Sequence, residues 1–66
     1  MEKHEVEALL TLAEELHFGR TAQRLYVSTA RVSQTIKQLE HRVGVPLFER
    51  TSRHVALTPI GKQLVD

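Results

Sequence analysis

The sequence predicts a mainly α-helical fold, with a core of three helices, a small β-hairpin and the start of a fourth helix. Two observations support this prediction. In three successive segments, apolar residues recur at intervals of three and four, which is the period of an amphipathic helix. After Pro46 the pattern changes to the alternation of short strands, and a Thr-Pro pair then marks a new helix start.

The first two predicted helices are separated by a glycine. The first covers about residues 2–17, and its early Glu residues suit the positive end of the helix dipole. The second is the shorter segment RTAQRLY, for which Gly19 is a tolerable N-cap. Tyr26 stands beside the next turn, where we expect it at the edge of the core. The alternative is a phosphate contact through its hydroxyl group.

The third predicted helix extends from about residue 29 to residue 43. Ser28 is a good N-cap, and Gly44 occupies the position where a left-handed residue ends a helix. The connection to the second helix is only two to four residues long, and a short helix followed closely by a longer one predicts a helix-turn-helix. The apolar residues of this helix form one narrow stripe: Val32, Ile36, Leu39 and Val43.

A hairpin follows the third helix. The segment LFERTSRHVAL, about residues 47–57, alternates as two strands with one buried face. Because its turn lacks Gly and Asn, we expect a loop longer than two residues. Thr58 and Pro59 then provide the N-cap and first residue of a fourth helix. The predicted fold is therefore a winged helix-turn-helix at residues 1–58, with residues 59–66 starting the fourth helix.

The composition excludes several classes of protein. A chain of 66 residues forms one domain at most and leaves no room for an ordinary catalytic cleft beside its core. Without cysteine it has neither disulfides nor thiolate metal sites, and a cytoplasmic location is compatible with that. The N-terminus resembles neither a signal peptide nor a membrane span. The sequence has no catalytic constellation, and its four histidines lack metal-ligand spacing, so we predict neither an enzyme nor a metal site.

The charges are unevenly distributed although the net charge is only +1. Residues 1–19 hold five Glu and one Lys, whereas residues 20–66 hold eight Lys or Arg and three acidic residues. An acidic first helix followed by a basic remainder predicts a positive surface on one side of the domain. Such a surface attracts polyanions.

The outer face of the third helix has the residue types that read DNA. A merely solvated face would mix Glu and Lys, but this face is nearly free of carboxylates. Arg, Gln, Ser and Thr offer donors and acceptors to base edges in the major groove, and the small Ala30 permits close approach to a thymine methyl group. The candidate DNA contacts on this helix and at its cap are Ser28, Thr29, Ala30, Arg31, Ser33, Gln34 and Lys37.

Further candidate contacts flank this helix in the sequence. Basic residues of a wing hold phosphates or enter a narrow minor groove, and the start of the second helix can hold the DNA backbone. For Arg50 the alternatives are pairing with Glu49 or packing across the hairpin, and Arg42 is interpreted as a partner of the helix dipole. The flanking candidates are Arg20, Thr21, Arg24, Arg50, Arg53 and His54.

The segments HFGRTAQRL, VSTARVSQTIKQLEHRVGVPLFERTSR and VALTPIG together resemble the N-terminal DNA-binding domain of LysR-type transcriptional regulators. The most specific parts are the spacing VS…VS…I..LE…G..LF.R and the LTP.G entry to the fourth helix. The resemblance implies a winged helix-turn-helix that binds double-stranded promoter DNA as a dimer paired through the fourth helix. It also implies a C-terminal domain, outside this chain, that senses a small molecule; no cofactor is expected in the chain itself.

Departures from the family's pattern lie mainly at positions that would meet bases. Thr29 and Ala30 stand where the family usually has Gln and Pro, and Arg31 replaces a small residue. Gln34 and Thr35 replace a common Arg-Gln pair. At other positions, Gly19 replaces a frequent Thr, whereas the serine at 33 and the wing arginine at 53 are retained.

The function predicted on these grounds is sequence-specific DNA binding. The third helix would enter the major groove, and the wing and the start of the second helix would grip phosphates. The first helix would face away from the DNA or support the core. Two copies would bind an inverted repeat with half-sites about one helical turn, or a multiple of it, apart. With the fourth helix ending at Asp66, we expect the 66-residue chain to be mainly monomeric and to bind DNA weakly. The alternative is a protein-interaction module, which would need exposed apolar residues on the third helix.

Overall fold

The computed structural model describes residues 1–51 and 54–66. The elements appear in the predicted order, with a helix-turn-helix followed by a two-stranded wing and a further helix. This arrangement confirms the predicted winged helix-turn-helix. The elements are α1 (Lys3–Glu15), α2 (Phe18–Leu25), α3 (Thr29–Val43), β1 (Phe48–Arg50), β2 (Val55–Leu57) and α4 (Pro59–Val65).

The core lies between α1, α2, α3 and the base of the wing. Thr35 is buried beside the predicted apolar stripe of α3, whereas Val43 is 42% exposed because it ends the helix at the rim of the core. Phe18 and Leu25 of α2 pack against this core without being fully covered. The buried apolar residues are Ala8, Leu9, Leu12, Ala22, Val32, Ile36, Leu39, Leu47 and Phe48.

Leu16, not Gly19, makes the turn between α1 and α2. Leu16 has a φ of 50°, and its N–H donates to the Leu12 carbonyl at 2.7 Å. His17 then caps α2, since its Nδ1 accepts a hydrogen bond from the Arg20 N–H at 3.0 Å. Gly19 therefore lies inside the first turn of α2, and its predicted role as the N-cap is wrong. Histidine is not among the preferred capping residues, so the sequence pattern did not indicate it.

The predicted caps of α3 are confirmed. The Ser28 Oγ accepts from the Arg31 N–H at 3.1 Å. Gly44 ends the helix with a φ of 92°, and its N–H donates to the Glu40 carbonyl at 2.8 Å. Both ends of α3 are therefore determined by local side-chain and backbone chemistry.

The wing is an antiparallel pair in which Phe48 is opposite Leu57 and Arg50 is opposite Val55. Phe48 is buried and its partner is half-buried, which confirms one inward face. β1 ends at Arg50 and β2 begins at Val55, so the strands are separated by more than two residues, as predicted. The Thr51 N–H donates a hydrogen bond to the His54 carbonyl at 2.8 Å, which joins the two described residues next to the strands.

α4 begins on the chain that leads into the wing. Thr58 accepts a hydrogen bond from the Gly61 N–H at 3.0 Å, as predicted for an N-cap, and its hydroxyl donates to the Pro46 carbonyl at 2.8 Å. The Thr58 N–H also donates to the Leu47 carbonyl at 3.0 Å. Hydrogen bonds from Thr58 thus connect the start of α4 to residues 46 and 47. Over the described residues, none of the helices has the length and apolarity of a membrane span.

A buried carboxylate connects the start of α1 to the end of α3. Glu5 is 1% exposed and accepts from the Glu2 N–H at 2.9 Å and from the Arg42 Nη1 at 2.7 Å. The Glu2 N–H, and then the charge and hydrogen bond of Arg42, hold the pKa of Glu5 below its ordinary value of 4.5 against the opposing effect of burial. Arg42 does lie in the last turn of α3, but its guanidinium binds this carboxylate.

The lowered pKa of Glu5 predicts an acid-sensitive contribution to stability. The charged carboxylate stabilises the fold above pH 4.5, its ordinary pKa, and this stabilisation is lost as the pH falls through the lower pKa of the folded state. We therefore expect the stability difference between the wild type and Glu5→Gln to shrink below pH 4.5. Urea unfolding at a series of pH values measures it. The exposed Glu7→Gln is the control, and a difference that stays constant with pH would contradict the prediction.

Candidate nucleic-acid interface

The first half of α3 presents most of the predicted contacts on one continuous surface. Its N-cap and the outward-facing residues of its first three turns are exposed, except Ser33, which is half-buried. We call this the recognition surface: Ser28, Thr29, Ala30, Arg31, Ser33, Gln34 and Lys37. It carries no carboxylate, so hydrogen-bonding groups and positive charge face solvent together.

The cations of the recognition surface have no ion-pair partner within the described residues. No carboxylate oxygen in that part of the chain lies within 4.0 Å of a side-chain nitrogen of Arg31 or Lys37. Their charge is therefore available to a polyanion. Arg31 lies on a flank, since it lines a cleft of about 120 Å³ together with His4 and Glu7 of α1. Gln34 lies nearly opposite the buried stripe, at the centre of the surface.

The two arginines of α2, Arg20 in its first turn and Arg24 in its last, are bound by the acidic end of α1. Arg24 Nη1 lies 2.6 Å from a carboxylate oxygen of Glu14 and 3.2 Å from one of Glu15. These two hydrogen bonds raise the pKa of Arg24. Arg20 Nε lies 3.3 Å from Glu15. Both arginines, predicted as phosphate contacts, therefore join α1 to α2, and their charge is partly neutralised by these partners.

Thr21 lies inside the core, so its predicted phosphate contact is wrong. Its side chain is 0% exposed, and its hydroxyl donates to the His17 carbonyl at 2.8 Å. A short hydroxyl on a helix can bond to the preceding turn in this way, which removes it from the surface. The sequence suggested a phosphate site because Thr21 lies near the start of the second helix, where N–H groups are free.

The wing residues are placed in three different ways. His54 is exposed at the described end of the loop. Arg50 is exposed too, but its guanidinium carbon lies 4.3 Å from the centre of the Phe18 ring and its Nη1 donates to the Ser33 Oγ at 3.2 Å. It thus packs across to α2 and α3, and no ion pair with Glu49 is found among the described residues. Arg53 lies outside the described residues.

Tyr26 is the largest difference from the predicted core. Its side chain is 95% exposed, so the expected position at the core edge is wrong. Its φ is 57°, and its N–H donates to the carbonyls of Ala22 and Gln23 as α2 ends. Glycine or asparagine usually occupies such a left-handed position. No period or propensity signal in the sequence indicates that an aromatic residue stands there.

Replacing Tyr26 with Asn is expected to stabilise the domain by about 0.5–1 kcal/mol, because Asn tolerates the left-handed conformation better and little packing is lost. Urea unfolding followed by circular dichroism measures the change. Tyr26→Phe keeps the strained backbone and serves as the control with no expected gain. Equal stability of the Asn and Phe variants would contradict this explanation.

The described residues contain no cluster suited to metal binding. No group of three or more His, Cys, Asp or Glu residues in this part of the chain is arranged to hold an ion. The geometry at the recognition surface is that of a binding surface made of donors, acceptors and cations.

Comparison with known proteins places this architecture in a family. Residues 4–62 match the family described as "Bacterial regulatory helix-turn-helix protein, lysR family". The chain is 54% identical over 52 residues to the HTH-type transcriptional regulator IlvR of Caulobacter vibrioides, which covers 79% of this chain and 18% of IlvR. It spans about a fifth of the length of such curated relatives, which are named as transcriptional regulators and not as enzymes.

Solved structures show the same fold. Full-length OxyR C199D from Pseudomonas aeruginosa matches with a TM-score of 0.93 and 45% identity, over 98% of this chain and 22% of OxyR. The BenM_DBD/catB site 1 DNA complex matches with a TM-score of 0.93 and 32% identity, over 98% of this chain and 73% of that chain. The family match extends from α1 through the wing to the first half of α4, and the chain belongs to the LysR family of bacterial regulatory helix-turn-helix proteins.

Proposed function

We propose that this chain is the sequence-specific DNA-binding domain of a bacterial LysR-type transcription regulator. The recognition surface supports this most directly. It exposes paired donors and acceptors, it carries no carboxylate, and its cations have no ion-pair partner in the part of the chain that the structure describes. α3 would lie in the major groove, and the wing would lie on the DNA backbone or in the minor groove. The BenM domain in the catB site 1 DNA complex has the same fold, which adds support.

The base-reading residues would come from the centre of the recognition surface. An α-helix fits the major groove of B-DNA, and its N-terminal residues come closest to the base edges. Gln34 combines a donor and an acceptor in one plane, which suits adenine, and the methyl group of Ala30 suits thymine. Lys37, one turn further along α3, is suited to a phosphate or to guanine.

The complete regulator would be a homodimer with an effector domain outside this chain. Ile60 and Leu64 of α4 are 45% and 40% exposed, which supports pairing of two copies through an extended fourth helix. The chain spans about a fifth of the length of its curated relatives. We therefore place the binding site for a small-molecule effector in the rest of the complete regulator, and we expect no cofactor in this chain. A cytoplasmic location fits such a regulator.

A two-dimensional amide NMR titration with a mixed-sequence DNA duplex, at low and moderate salt, tests the proposal. We expect shifts concentrated at residues 28–37 and at His54 that weaken steeply with salt, because phosphate contacts release counterions. Absence of shifts in both salts would refute the proposed function. Shifts centred on α1 would favour a protein-interaction module instead.

Replacing Gln34 with Ala is expected to weaken binding to a preferred sequence by about 1–3 kcal/mol and to relax the preference at one base pair. The reason is the loss of a paired donor and acceptor at the centre of the recognition surface. Fluorescence anisotropy against a panel of single-base variants of a selected duplex measures both effects. Gln23→Ala, an exposed amide on α2, is the matched control. An equal loss on every duplex would argue against base reading by Gln34.

A further inference from the structure

Arg50 connects three elements of the domain. It ends β1 of the wing, its guanidinium lies over the Phe18 ring of α2, and its Nη1 donates to the Ser33 Oγ of α3 at 3.2 Å. A planar guanidinium can stack on an aromatic ring and donate within its own plane at the same time. An exposed arginine that makes both contacts is held in place before any ligand arrives.

The hydrogen bond from Arg50 determines what Ser33 can do. A guanidinium has donors and no acceptor, so the Ser33 proton cannot point back to it. Within the described part of the chain, no group accepts a hydrogen bond from this hydroxyl. Ser33 is half-buried on the flank of the recognition surface, so its O–H is directed away from Arg50 and remains available to a ligand. Donation by a cation to its oxygen also strengthens that O–H as a donor.

We propose that Arg50 is a positioning residue that holds the wing against α2 and α3 and orients Ser33 as a hydrogen-bond donor toward DNA. The acceptor is an anionic or lone-pair atom, either a phosphate oxygen or a purine atom in the major groove. This inference rests on the proposed function and replaces the predicted phosphate contact of Arg50. The contacts with Phe18 and Ser33 use one face and one Nη atom of the guanidinium, and the double-mutant cycle below tests whether its remaining N–H groups also bind DNA.

A double-mutant cycle on DNA affinity separates the two roles. The probe is a duplex selected from a randomised pool with the wild-type chain. Arg50→Lys keeps the charge but removes the planar guanidinium group, and Ser33→Ala removes the hydroxyl group. We expect each to weaken binding about tenfold and the double variant to weaken it no further. Ser33→Thr should restore affinity to within about twofold, and Lys62→Arg, at an exposed position of α4 outside the recognition surface, is the control with little expected loss.

The free protein provides a readout that does not depend on DNA. Because Arg50 lies over the Phe18 ring, its side-chain proton resonances should be shifted upfield, and Phe18→Leu should remove the shift and weaken binding as Arg50→Lys does. Urea unfolding of each variant confirms that it is folded under the binding conditions. Absence of the upfield shift in the wild type would overturn the inference even if DNA binds.

The binding results distinguish the inference from the proposed function. Near wild-type affinity of Arg50→Lys would overturn the inference. Losses that add in the double variant would overturn it too, because they would mean that Arg50 and Ser33 act on DNA independently. If the wild type selects no duplex, the proposed function fails, and the donor role of Ser33 fails with it. Methylphosphonate and 7-deazapurine substitutions in the duplex then identify the acceptor, because only the substitution at Ser33's partner leaves the affinity of Ser33→Ala unchanged.

Discussion

Replacing Glu40 with Ala is expected to lower the free energy of unfolding by about 2–4 kcal/mol, a large part of the roughly 3–5 kcal/mol available to a chain of this size. The Glu40 Oε2 accepts hydrogen bonds from the Leu47 N–H at 2.7 Å and the Phe48 N–H at 3.1 Å. Both donors belong to buried residues. Without the carboxylate, two buried N–H groups lose their acceptor where α3 meets the wing.

Urea unfolding followed by circular dichroism measures this loss, and amide exchange at Leu47 and Phe48 locates it. Glu40→Gln is the informative comparison, because an amide oxygen can accept both bonds without charge. We expect it to retain most of the stability. Glu49→Ala removes an exposed carboxylate from β1 and should change stability by less than about 0.5 kcal/mol. Equal stability of Glu40→Ala and Glu49→Ala would refute the structural role of Glu40.

Replacing Gly61 with Ala is expected to cost about 2–3 kcal/mol through overpacking. Gly61 is buried in the first turn of α4, and a Cβ at this position would collide with the backbone carbonyl oxygen of Leu47. That carbonyl cannot move freely, since it accepts the Thr58 N–H at 3.0 Å. The added methyl group must therefore push α4 away from the base of the wing.

Thermal unfolding of Gly61→Ala, with amide exchange at Thr58, tests this prediction. Two comparisons separate steric from conformational effects. Lys62→Ala changes an exposed neighbour in α4 and should be nearly neutral. Gly44→Ala has open space around its Cβ but a φ of 92°, so its expected cost of about 1 kcal/mol is conformational. A wild-type unfolding temperature for Gly61→Ala would show that the Cβ is accommodated.

Glu40 and Arg50 together determine the position of the wing relative to α3. The Glu40 side chain accepts hydrogen bonds from the backbone at the start of β1. Arg50 holds the other end of β1 against Ser33 and Phe18. The distance between a recognition helix and its wing must match the spacing of groove and backbone on the DNA. We therefore expect substitutions at these two residues to affect DNA affinity through geometry as well as through stability.

Several elements follow from local sequence alone. α3 could be predicted at both ends because a serine N-cap and a left-handed glycine satisfy its terminal groups within a few residues. The start of α4 follows in the same way from Thr58 and Pro59. The central apolar stripe of α3 follows from helical periodicity. The exposure of Gln34 follows because it lies opposite that stripe.

Other features depend on contacts between segments that are distant in the sequence. Glu14 and Glu15 reach Arg24 only because α1 packs beside α2. Thr21 turns inward because its helix presents that face to the core, whereas Tyr26, in the left-handed position that ends the same helix, lies in solvent. Arg50 meets Ser33, 17 residues earlier in the chain, because the fold brings the end of β1 near the first half of α3. Short-range patterns determine where helices begin and end and which face of each helix is apolar. The partners of long charged side chains are decided by tertiary packing. Those side chains span several ångströms and bind whichever opposite charge or aromatic face the fold brings within reach.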